Sequence, residues 1–257
     1  MGDFAVKFLS IRLGMTYLAE AKGTEDKKRR DELFRKAKQN IEFGRDVLSA
    51  PTYMLMYHYQ VENYKTLENS FLEIFNSRQA IPYEGTPGLL TCGKRLFLSP
   101  DMDETVTERD IAEKDDIAFD VIFRSTEISC VPPALQYECA LLGGRYNWNF
   151  CSVNPLVCIS YLQFQVTVRR KSVDQQLVAL GHLRKMVAYV ESGNWVSGGK
   201  PIELHRHYNI LGYCYFVMKD ITNAYKWLAI SLKACPIIGN AAAYHMCIII
   251  SKLISQN

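Results

Sequence analysis

Residues 205–236 impose the tightest constraint on how this chain can fold. Tyr208, Leu211, Gly212 and Tyr215 share one face of a first helical stretch, and Ala224, Leu228 and Ser231 share one face of a second. Small side chains at Gly212 and Ala224 let two helices touch closely, while the larger residues fill the groove around that contact. Pro236 ends the second helix. A hairpin of this kind buries its apolar faces only when neighbours stack on it, so one good hairpin implies more. The expectation is an all-α chain of antiparallel helical hairpins.

The remaining segments extend that reading. Residues 4–21 are helical by pattern, and Leu13, Gly14 and Tyr17 repeat the spacing of Leu211, Gly212 and Tyr215. A charged stretch at 22–31 leads to a second helix over 30–48, with Leu33, Ala37, Ile41, Gly44 and Leu48 along one side. This predicts the same hairpin with extra residues at its turn. Residues 53–77 read as a third long helix, with Tyr57, Tyr64, Phe71 and Phe75 at roughly helical spacing.

A long irregular insertion is expected around residues 78–116. Pro82, Gly85, Pro87, Gly88, Gly93 and Pro100 punctuate it, and acidic residues gather from Asp101 to Asp116. Residues 117–124 are apolar again and suit either strand or helix. Pro132 and Pro133 start another helix over 134–142. Asn154 can cap and Pro155 can open a third hairpin, with arms at 156–170 and 172–192. A loop at 193–201, the strong hairpin and a closing helix at 240–254 complete a count of at least nine helices and no sheet. The divisions 1–77, 78–130 and 131–257 read as parts of one continuous domain.

Tyr208, Leu211, Gly212, Tyr215, Ala224, Leu228 and Pro236 resemble the tetratricopeptide repeat family, with Ser231 where alanine is usual and a second copy at Leu13, Gly14 and Tyr17. The resemblance implies a TPR-like α-solenoid: a non-enzymatic scaffold that binds a protein or peptide through its inner groove. That groove is lined by the inner face of the first helix of each repeat. Carried over from Gly212, the face presents Arg206, Asn209, Tyr213 and Phe216, two hydrogen-bonding heads beside two aromatic anchors. The same register from Gly14 gives Phe8, Ile11, Met15 and Leu18, all apolar. Such a face must be covered by another helix, a partner or a second copy of the chain.

A second resemblance is carried by residues 131–138, by Asn154-Pro155-Leu156 with Tyr161-Leu162-Gln163-Phe164, and by residues 208–212. These are similar to the helical tail of invertebrate proteins that carry a cyclic-GMP-AMP-synthase-like (male-abnormal type) nucleotidyltransferase domain. The catalytic domain of those proteins needs a Gly-Ser dipeptide and paired acidic residues holding two metals. This chain has no Gly-Ser dipeptide. The resemblance therefore implies a non-catalytic regulatory tail, with innate immunity as its setting.

No stretch supplies a complete catalytic motif. Gly88, Gly93 and Lys94 approach a phosphate-binding loop, but Arg95 stands where the magnesium-binding Ser or Thr belongs, and Pro82, Glu84 and Pro100 spoil the flanking strand and helix. Asp101, Asp103 and Glu104 lack the glycine and glutamate of a calcium loop, with Val106 and Ala112 in those places. His205 and His207 fall on different helix faces and cannot chelate one ion; His58, His182 and His245 stand alone. No catalytic residue, metal or cofactor is expected.

Basic turns at Lys27, Lys28, Arg29 and Arg30 and at Arg169, Arg170 and Lys171 offer an alternative: binding of nucleic acid or another anion, weakening with salt. The net charge of +3 argues against a dedicated nucleic-acid binder. None of the eight cysteines forms a C-x-x-C pair, which suits reduced thiols in the cytoplasm. Asp3, Lys7 and Arg12 interrupt any leader, and Val6 stands where myristoylation needs Ser or Thr. Asn240, His245 and Lys252 interrupt the apolar residues at 237–255, which reads as a buried helix rather than a membrane span.

Overall fold

The computed structural model describes residues 2–45, 50–76, 121–141, 150–192, 204–235 and 240–255. The insertion at 78–116 with its near-miss phosphate and calcium loops, the loop at 193–201, Cys92 and Pro236 lie outside the described residues. Within them the chain is mostly helical. The order is α1 (Gly2–Gly23), α2 (Lys27–Phe43), α3 (Ala50–Gln60), α4 (Tyr64–Asn76), β1 (Val121–Arg124), a 3-10 helix (Ser125–Cys130), α5 (Pro133–Leu141), β2 (Phe150–Val153), α6 (Pro155–Arg169), α7 (Val173–Glu191), α8 (Leu204–Val217), α9 (Ile221–Ala234) and α10 (Ala242–Ile254).

The first and last hairpins close through one device. A methyl group built on Gly14 would lie 2.9 Å from the Ala37 carbonyl oxygen and 2.8 Å from Ile41 Cγ1. One built on Gly212 would lie 3.3 Å from the Ala224 carbonyl oxygen and 2.7 Å from Leu228 Cγ. In both, a glycine on the first helix meets an alanine and, one turn on, a branched aliphatic side chain. The extra residues of the first hairpin lengthen its helices, not its turn. α1 and α2 have 22 and 17 residues, against 14 each in α8 and α9. Only Thr24, Glu25 and Asp26 connect them, and Asp26 caps α2 through the Lys28 and Arg29 amides.

The helix expected over 53–77 is two helices. It breaks at Val61, Glu62 and Asn63, with Glu62 in the left-handed region at φ 59°. Its Asn63 amide donates to the His58 carbonyl, and Asn63 then caps α4 through the Thr66 amide. The same turn recurs twice. Lys171 (φ 58°) joins α6 to α7 and Lys219 (φ 63°) joins α8 to α9. Ser172 N donates to the Thr167 carbonyl, and Asp220 N to the Tyr215 carbonyl. Each is the six-to-one closure of a Schellman motif, built here on Glu or Lys where glycine is usual. Asp220 caps α9 through the Asn223 amide.

A two-stranded antiparallel ribbon interrupts the helices. Val121 pairs with Val153 and Phe123 with Cys151. All four side chains are fully buried, as the alternation of a strand allows. Residues 121–130, read from sequence as the end of an irregular connector, thus belong to the core. The 3-10 helix lies on α1: Ser129 Oγ donates to the Ala19 carbonyl, and Cys130 Sγ is 4.0 Å from the Met15 carbonyl. It helps to cover the apolar face of α1. Ile11, Met15 and Leu18 are fully buried and Phe8 is half-buried within the chain itself. A second copy is not needed to cover them.

No helix among the described residues is long and apolar enough to cross a membrane.

Candidate functional site

The face of α8 expected to grip a partner divides into two halves. Its N-terminal half is internal. Arg206 is 5% exposed and Asn209 is 0% exposed. Asn209 Nδ2 donates to Glu138 on α5 and to Asn240 Oδ1. Arg206 Nη1 lies 3.3 Å from the carbonyl and the hydroxyl of Ser152 on β2, and its Nε is 4.0 Å from a Glu138 oxygen. Asn240 also exchanges hydrogen bonds with Ser231, whose hydroxyl donates to the His205 carbonyl at 2.9 Å. Arg206 and Asn209 therefore serve the packing of α8 against α5, β2, α9 and the start of α10. They do not form the open polar heads that the register suggests, because the ribbon and Glu138 occupy the space in front of them.

The C-terminal half of the face is open. Tyr213 and Phe216 are half-buried and line a groove of about 550 Å³ between α5, α8, the start of α9 and α10. Tyr137 contributes from α5, Lys219 from the α8–α9 turn, and His245, Ile249 and Lys252 from α10. The Tyr213 and His245 ring centres are 6.0 Å apart, and Lys252 Nζ sits 5.1 Å from the centre of the Phe216 ring. Later residues of α8 thus meet later residues of α10, so the two helices run in the same direction along the groove. Aromatic rings and His245 mark one end, and Phe216 with Lys252 the other.

His245 is 4% exposed and lies 5.0 Å from the Tyr137 ring. Burial lowers its pKa to about 4, against a smaller opposing effect of its bond to the Ala134 backbone. The ring is neutral at ordinary pH, and its Nε2 has no hydrogen-bonding partner. His205 and His207 are also buried. Burial, with Arg206 nearby, lowers them to about 4 and about 3. His207 Nε2 accepts from the Asn154 amide at 3.2 Å, which ties α8 to the cap of α6.

The two basic turns have different surroundings. Lys27, Lys28 and Arg29 are exposed at the start of α2, with Arg30 half-buried. The Asp26 carboxylate already occupies the first amides there. Arg169 is held above its ordinary pKa by a hydrogen bond with Tyr59, Arg170 pairs with Glu68 on α4, and Lys171 forms the left-handed turn. A shallower groove of about 510 Å³ lies beside them, between α4, α6 and α7.

Among the described residues, no group of three or more His, Cys, Asp or Glu side chains could hold a metal ion. Buried thiols are inert: the Cys139 pKa is raised by its bond to Cys151 and by burial, and those of Cys130, Cys158 and Cys214 by burial. No protein-family model, curated protein or solved structure matches the chain.

Sequence reasoning reached Tyr213 and Phe216 but missed Tyr137, Lys219, His245 and Lys252. The usable signal lay in α10, where His245, Ile249 and Lys252 repeat on one helical face.

Proposed function

We propose that this chain is a non-enzymatic helical scaffold of TPR-like solenoid type that holds a segment of a partner protein in the groove between α8 and α10. The observation that carries this reading is the open, aromatic-walled channel beside Tyr213 and Phe216. Its size and its few polar groups suit a bound side chain or short segment. Half-buried aromatic rings in a concave wall are the anchors on which such binding concentrates. The second resemblance would make the scaffold the non-catalytic tail of a nucleotidyltransferase-type immune protein, and the groove would serve equally there. The anion-binding alternative loses support from the partners of Arg169 and Arg170.

The test is a peptide display library panned against the intact chain, with the Phe216→Asp variant as counter-target. Recovered peptides should lose binding to the variant while its circular dichroism stays unchanged. Peptides that bind both proteins equally would refute the groove.

A further inference from the structure

We infer that the groove between α8 and α10 selects an acidic segment, with an aromatic or aliphatic anchor at the His245 end and a carboxylate at the Lys252 end. This rests on the groove reading proposed above and adds the chemistry of the occupant.

Charge is the first argument. Among the described residues two lysines line the groove, Lys219 and Lys252, and no aspartate or glutamate does. Among the described residues neither lysine is in an ion pair, whereas Arg12, Lys36, Lys38, Arg170 and Arg206 each face a carboxylate. The two cations come from different elements, the left-handed turn after α8 and the last turn of α10. Both lysines are exposed, so an acidic group between them would gain from each by an attraction that weakens as salt rises.

Direction is the second. The Tyr213–His245 contact and the Phe216–Lys252 contact mark opposite ends of the channel. His245 and Lys252 are two helical turns apart, which is about 10 Å. An extended chain covers that distance in about three residues. The fitting segment carries its apolar anchor about three residues from its acid.

A single nucleic-acid strand is disfavoured. Base stacking needs an open ring face. Lys252 Nζ sits over one face of the Phe216 ring, and Tyr137 packs against Tyr244 at 4.6 Å and His245 at 5.0 Å.

The experiment is an amide-resolved NMR titration of the full chain with three probes: the capped peptide GWAADDG, its counterpart GWAAKKG, and an oligothymidylate strand. The acidic peptide should shift the amides of Phe216, Lys219 and Lys252 and bind about tenfold more tightly than the basic one. Charge reversal in Lys219→Glu/Lys252→Glu should invert that order. The milder Lys219→Gln/Lys252→Gln pair should abolish it with the fold intact. Equal binding of the two peptides at these amides overturns the charge preference and leaves the groove reading standing. No shift at these amides with either peptide overturns both. Displacement of the acidic peptide by the oligonucleotide overturns the choice of occupant.

Discussion

Arg12 on α1 and Glu127 in the 3-10 helix form an ion pair closed to water, 4% and 1% exposed. Arg12 also donates to the Ile122 carbonyl, and Tyr53 bonds both backbone groups of Ile122. Glu127 Oε2 accepts from the Arg124 amide at 2.9 Å. Burial alone would lower the Arg12 pKa; the Tyr53 hydroxyl and the Glu127 carboxylate outweigh it and raise it. The pair thus fastens the ribbon to α1 and α3. Breaking one partner strands a buried charge, so Glu127→Gln should lower the unfolding free energy by about 3 kcal/mol in urea titrations. The double replacement Arg12→Met/Glu127→Leu should recover most of that loss.

The left-handed turns hold non-glycine residues against a steric cost of about 1–2 kcal/mol each, and glycine offsets part of its gain by its freedom when unfolded. Lys219→Gly and Lys171→Gly should each raise stability by about 0.5–1 kcal/mol. Lys219→Val should lower it, because β-branching tolerates positive φ least. Chemical denaturation of the three variants decides the point.

Gly181 and Gly212 should respond to alanine in opposite senses. At Gly181, inside α7, a methyl group meets nothing within 4 Å. Gly181→Ala should stabilise by up to about 1 kcal/mol through helix propensity. At Gly212 the methyl would press on Leu228, and Gly212→Ala should destabilise by about 1–3 kcal/mol. Thermal unfolding of the pair measures the contrast, and an equal response would refute the close approach of α8 and α9.

Acid should weaken the fold well above the carboxylate range. His205 and His245 titrate at about 4 and His207 at about 3 in the folded chain, against 6.5 unfolded. Between those values the unfolded state binds more protons, so stability falls as pH drops from about 6.5 toward 4. Each histidine adds up to about 1.4 kcal/mol per pH unit to that slope. Urea midpoints from pH 7 to 4 should show it, and His205→Gln should reduce the slope.

The Gly14 and Gly212 contacts were legible because a hairpin is a local object. Its two helices are neighbours in sequence, and a small residue in each is enough to mark the crossing. Asn154 and Pro155 were legible for the same reason: the cap bonds to the Leu156 amide two residues on. The break at Glu62 was not, because its turn type is normally marked by glycine and here Glu62, Lys171 and Lys219 take that place.

Sequence alone determined the helical periodicity, the caps and the small-residue crossings, since each depends on residues within a hairpin's reach. Tertiary structure alone decided the ribbon, which pairs Val121 with Val153 across the chain, and the division of the α8 face. Arg206 and Asn209 read as surface groups until Glu138, Ser152 and Asn240 are brought in front of them. A polar side chain carries no local mark of whether its partner will be water or a distant residue. The chain path settles that, and it leaves Tyr213 and Phe216 facing the open channel.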